Sequence, residues 1–174
     1  MTERKKIFIG VAVATVAVLP VVLPMPNSLR SQIPPGHGAQ PSGTIRSLIT
    51  TEVTYLVTYP KMGYAPNLAT LGPDVADGAQ CRPSPEHACL FDFGCPTGVG
   101  TAWCVKGEYL YNIQTSSSEP PYKDYWITAT PVRGNPELMN YCSLSDAVLR
   151  YEKAAPLSRP YTIEECESLP KLAN

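Results

Sequence analysis

The sequence predicts an α+β fold: one amphipathic helix packed on a small antiparallel β-sheet with disulfide-tied loops, preceded by an N-terminal membrane-anchor helix. Three observations predict it. Around the stretch "RSLITTEVTYLVTYPKMGYAPNLATLGP" (46–73), a window that starts one residue earlier places Ile45, Leu48, Ile49, Glu52, Tyr55, Leu56 and Tyr59 at three- and four-residue steps, which is one face of a helix. Downstream, short runs alternate in polarity at hairpin spacings. Six cysteines all lie beyond residue 80 of a 174-residue chain, in a body with few charges.

The first element is the apolar run "IFIGVAVATVAVLPVVLPM", nineteen residues at positions 7–25 within an uncharged stretch Ile7–Leu29. That is near the lower limit of the roughly 17–25 residues that span a bilayer as a helix. Arg4, Lys5 and Lys6 precede it, which predicts a cytoplasmic N-terminus and a head outside. Pro20 and Pro24 weaken the far end of such a helix. An uncleaved anchor over residues 1–25 is the expectation and a cleaved signal peptide the alternative, although no small-x-small site follows the run promptly. Residues 26–43, with Pro34-Pro35-Gly36, read as a linker. Residues 44–174 read as the globular head.

The window 51–59 is ambiguous on its own. Val53, Tyr55, Val57 and Tyr59 alternate with Thr54, Leu56 and Thr58, which suits a strand. The sheet that follows needs a cover, and 44–59 is the only long amphipathic stretch outside the anchor, so a helix is expected from about Thr44. Ser42 or Thr44 would cap it, Ile45, Leu48, Ile49, Leu56 and Tyr59 would face the sheet, and Pro60 would end it. Residues 74–106 then read as a Pro/Gly-rich loop. Strands are expected over 107–115, 123–132, 139–143 and 147–151, with Tyr125, Ile127 and Ala129 on one face and Trp126, Thr128 and Thr130 on the other. The tail around Cys166 reads as a short turn or helix tied back to the body.

Cys81, Cys89, Cys95, Cys104, Cys142 and Cys166 are even in number and outside the anchor, which in an oxidising compartment reads as disulfides. Spacing alone cannot choose among the connectivities, but local separation favours Cys81–Cys89 and Cys95–Cys104, leaving Cys142–Cys166. Close Cys-x-x-Cys pairs are absent, so zinc is not expected. Of 14 basic and 15 acidic side chains, four basic and one acidic lie in residues 1–30, leaving 10 against 14 in the rest. A mildly acidic body has no basic field for nucleic acid.

The stretch "RSLITTEVTYLVTYPKMGYAPNLATLG" resembles the type IV pilin-like proteins and type II secretion pseudopilins. "ACLFD", "GEYLYNI", "YWITATPV" and "NYCSLSDAVLRYE" continue the resemblance over roughly residues 45–152. It implies a pilin-like head, a helix on a small antiparallel sheet, with a structural or accessory role in a type IV pilus or type II secretion system. The implied partners are other pilin or pseudopilin subunits or secretion-apparatus proteins. The implied location is the bacterial inner membrane, single-pass with the head in the periplasm, or release to the outside. The prepilin cleavage motif is absent: Gly10 is followed by "VAVATVAV", without the Phe and the fifth-position Glu of that family.

Little else carries chemistry. His37 lies in the linker and His87 in "PSPEHAC" beside Glu86; a surface loop is the expectation for both, and a general base at His87 is the sharper alternative. "GVG" at 98–100 is too short for a phosphate cradle. Asp74 and Asp77 lack an EF-hand ligand series, so no calcium is expected. Glu164, Glu165 and Glu167 read as a solvated face. Tyr109, Tyr111, Tyr122, Tyr125 and Trp126 are expected to divide between core and surface. The chain is therefore expected to be non-enzymatic and free of cofactors. The rival readings are a secreted or anchored disulfide-rich binding module that grips a sugar or protein through its aromatic sheet face, and a small hydrolase built on His87.

Overall fold

The computed structural model describes residues 39–73, 81–91, 103–134 and 138–172, all within a compact unit spanning Ile33–Asn174. The expected anchor, His37, Asp74, Asp77, Cys95, the "GVG" stretch and most of the linker lie outside the described residues. Among the described residues, no helix is long and apolar enough to cross a membrane.

The ambiguous window is helical. Helix α1 covers Ala39–Thr58, and burial shows why period 3.6 wins over period 2. A strand would put Val53, Tyr55 and Val57 on one side, yet Tyr55 is fully buried while Val53 and Val57 are exposed. Ile45, Leu48, Glu52 and Tyr55 follow one helical stripe and all are fully buried. The helix ends one residue before Tyr59-Pro60, where the proline ring disfavours a helical predecessor. Among the described residues it runs from Ala39, ahead of the expected Thr44, so residues 39–43 of the expected linker are helical and neither Ser42 nor Thr44 is its cap.

The chain then turns through Gly63, whose φ of +83° suits a residue without Cβ. Here the backbone clips onto residue 122: Tyr122 N–H donates to the Met62 carbonyl at 2.8 Å, and Tyr64 N–H to the Tyr122 carbonyl at 2.9 Å. A one-turn helix, α2 (Leu68–Leu71), follows, capped by Asn67, whose Oδ1 accepts from Thr70 N–H at 3.0 Å. Residues 88–91 run back along it, with Ala88 N–H donating to the Thr70 carbonyl at 2.8 Å and Leu90 N–H to the Leu71 carbonyl at 2.9 Å. The Cys81–Cys89 disulfide closes this loop.

Five strands form one antiparallel meander in the order β1 (Cys104–Lys106), β2 (Tyr109–Thr115), β3 (Tyr125–Pro131), β4 (Asn140–Leu144) and β5 (Leu149–Glu152). The sequence reading missed β1 and placed it in the 74–106 loop. It is only three residues long, and its hairpin is made by Gly107 at φ +61° rather than by a long alternating run. On the first face, Tyr109, Tyr111, Ile113, Tyr125, Ile127, Ala129, Tyr141 and Leu149 join Ile45, Leu48 and Tyr55 of α1 in one core.

The second face is polar and is covered by the chain's own end, residues 153–172. Three cross-strand rows hold this strap. Thr130 pairs with Asn140 (Oγ1 to Oδ1, 2.7 Å), then takes Leu157 N–H at 2.8 Å, while Asn140 Nδ2 donates to the Ala155 carbonyl at 2.9 Å. In the next row Thr128 Oγ1 accepts from Tyr161 N–H at 3.3 Å, and Cys142, opposite it, is bonded to Cys166. In the third, Trp126 Nε1–H donates to the Tyr161 carbonyl at 2.8 Å. Helix α3 (Ile163–Ser168) opens on a capping box between Thr162 and Glu165. Beyond it, Tyr151 N–H donates to the Pro170 carbonyl at 3.1 Å and Leu172 N–H to the Leu149 carbonyl at 2.8 Å, which occupies the outer edge of β5.

Candidate functional site

Helix α1 has two unlike sides. Toward the sheet, Ile45 and Leu48 are fully buried, and Ile49 and Tyr59 are partly buried against the same core. Leu56 is half-buried but is not among the residues packed against that core. Tyr55, which follows the same stripe, donates its hydroxyl to the Pro85 carbonyl at 2.6 Å and so ties the helix to the Cys81–Cys89 loop. Burial pushes the Tyr55, Tyr109 and Tyr111 hydroxyls up to about 12, so all three are neutral donors at physiological pH.

Glu52 stands among these residues with no exposed surface. Its Oε2 accepts from Ala65 N–H at 2.8 Å, and Oε1 has no hydrogen-bond partner among the described residues. Removal from water pushes its carboxyl up to about 8, against a smaller opposing effect from the Ala65 hydrogen bond. Glu52 is therefore a neutral acid at pH 7. Its place on the apolar stripe was legible from spacing, but its protonation follows from the depth of the cover, which spacing does not give.

The opposite side of α1 exposes Gly43, Arg46, Ser47, Thr50, Val53, Thr54, Val57 and Thr58. Val53 is 49% and Val57 75% exposed. The hydroxyls do not reach outward as donors: Ser47 donates to the Gly43 carbonyl, Thr50 to Arg46, Thr54 to Thr50 and Thr58 to Thr54, at 2.8–3.1 Å. A helix side facing water in a globular protein is ordinarily rich in Lys and Glu. This one carries a single charged residue, Arg46. Sequence reasoning attended to the buried stripe and missed its complement, although the residues 47–58 hold no charge except Glu52.

The remaining candidates sort quickly. Cys81–Cys89 and Cys142–Cys166 are disulfides. Cys104 is also disulfide-bonded, and its expected partner Cys95 lies outside the described residues. His87 closes a tight turn with Ser84, their main chains exchanging hydrogen bonds at 2.9 and 3.2 Å. Glu165 pairs with Arg159 through both carboxylate oxygens at 2.6 and 2.8 Å, which holds its carboxyl down at about 2; Glu164 and Glu167 are exposed. Among the described residues no group of three or more His, Cys, Asp or Glu side chains could hold a metal ion. Tyr109, Tyr111 and Tyr125 belong to the core, whereas Tyr122 and Trp126 are partly exposed. No protein-family model matches the chain, and no curated protein and no solved structure matches it.

Proposed function

We propose that the chain is a non-enzymatic, pilin-like structural or accessory subunit of a type IV pilus or type II secretion system. The N-terminal segment would hold the head on the periplasmic side of the inner membrane. One observation carries this reading. A twenty-residue helix lies with one side against an antiparallel sheet and turns outward a nearly uncharged side with two exposed valines. Such a side costs little to desolvate, since its hydroxyls already bond to their own helix, and it offers apolar surface to another helix. An assembly of like subunits packed through their helices uses a surface of this kind.

The test places a photo-crosslinking residue at Val57 in the native cell, with the exposed Lys153 as the control position. The expected result is adducts with pilin-like or secretion-apparatus subunits from position 57 and none from 153. Equal labelling from the two positions, or no adduct from 57 in cells that make such an apparatus, would overturn the proposal.

A further inference from the structure

We infer that the groove where the C-terminal strap leaves the second sheet face is a binding site for a neutral oligosaccharide. Its floor is a cross-strand pair. Gln114 on β2 and Trp126 on β3 are directly opposite in register, on the same face, and both are partly exposed. The indole is fixed in place because Nε1–H donates to the Tyr161 carbonyl at 2.8 Å, which leaves the ring to line the groove. Thr115 and Ser116 continue one wall, and Pro160 with Thr162 form the other. The groove is open to solvent and holds about 490 Å³, within the roughly 300–1,000 Å³ of small-molecule sites.

The chemistry of the lining selects the ligand class. A held aromatic plate beside the Gln114 amide and the hydroxyls of Ser116 and Thr162 matches a sugar ring, which has an apolar C–H face and a rim of hydroxyls. Arg159 also borders the groove, but both arms of its guanidinium are engaged by Glu165, and the nearby exposed Glu164 repels anions. A phosphate or nucleotide is therefore disfavoured. An extended peptide would need a free strand edge, yet β2 and β3 are both paired on either side. The inference does not rest on the proposed structural role.

The experiment titrates the full-length chain with maltotriose, cellotriose and triacetylchitotriose, following the Trp126 indole and the Thr162 amide by ¹⁵N–¹H spectra, with the Trp103 indole as reference. At least one sugar is expected to give saturable shifts at millimolar concentration, confined to the groove. Trp126→Ala should weaken that affinity by about tenfold through loss of the aromatic plate. Because removing the indole also removes its bond to Tyr161, Gln114→Ala supplies the independent arm: it should lower affinity by a few-fold while leaving the melting temperature unchanged. No saturable shift with any of the three sugars, or an affinity unaltered by Gln114→Ala, would overturn the assignment.

Discussion

Glu52→Gln isolates the energetic consequence of placing a carboxyl on the buried stripe of α1. The wild-type group has its ordinary value of 4.5 when unfolded and about 8 when folded. Below pH 4.5 both states carry the proton, and Glu52 adds no pH dependence. Between 4.5 and 8 the folded state keeps a proton that the unfolded state has lost, so stability falls by about 1.4 kcal/mol per pH unit. Above 8 both states are ionised and the loss levels off, at about 5 kcal/mol in all. At pH 7 the loss is about 3 kcal/mol, a large share of the 5–15 kcal/mol or so that holds a domain together. Gln keeps the shape and the acceptor for Ala65 N–H but cannot ionise. Its amide brings donors to a site with few acceptors, a constant cost of about 1–3 kcal/mol. The diagnostic is therefore the slope. Urea unfolding at pH 4 to 8, with the disulfides intact, should show the variant gaining about 3 kcal/mol on the wild type between pH 4 and pH 7. Parallel stability curves for the two proteins, or a Glu52 carboxyl titrating near 4.5 in the folded protein by ¹³C NMR, would refute the reasoning.

Gly63→Ala should destabilise by about 2–4 kcal/mol in urea, because its Cβ would meet the Tyr122 carbonyl oxygen at 2.2 Å on a backbone at φ +83°; an unchanged midpoint would show that the 62–64 clip onto Tyr122 contributes nothing. Ala147 sits at φ +59° in the β4–β5 turn, so Ala147→Gly should raise stability by about 1 kcal/mol, read as a higher melting temperature; a lower one would contradict the left-handed turn. The double variant Cys142→Ala/Cys166→Ala should cost about 3 kcal/mol from the lost closure of a 24-residue separation. Amide exchange should rise first in 153–172, and exchange confined to β1 and β2 would argue against the strap.

How far the fold was legible depended on how much of each element's own length carried the signal. Strands β2 and β3 were readable because Tyr109 to Thr115 and Tyr125 to Pro131 repeat the period-2 pattern over seven residues each, and β4 and β5 because the turn "SLSD" separates two short runs at hairpin spacing. β1 was not, since three residues cannot establish a period and a glycine turn does the pairing. Residues 39–43 of α1 were read as linker because Ser42 and Thr44 are good cap residues, and cap chemistry alone does not tell a cap from a helical serine or threonine. The division of the aromatics was half legible: alternation separates Tyr125 from Trp126, but which face receives the helix and which the strap is a tertiary matter. The Gln114–Trp126 pair was invisible in sequence because register across a hairpin depends on the loop between the strands, here residues 116–124.

The way the sheet is covered bears on where the chain can meet others. Its first face is filled by α1, and its second by residues 153–172, which satisfy the hydroxyls and amides of Thr128, Thr130 and Asn140 from their own backbone. The outer edge of β5 already pairs with 170–172. Growth by adding a strand there would have to displace Leu172 and expose the Leu149 carbonyl, so association through that edge is opposed by hydrogen bonds the monomer already makes. The outward side of α1 faces no such competition, because its serine and threonine hydroxyls are bonded within the helix. It also belongs to the first face, whereas the Trp126 groove opens on the second. A head packed through α1 would therefore keep its groove open to a sugar, and the cross-linking and titration experiments can succeed or fail independently.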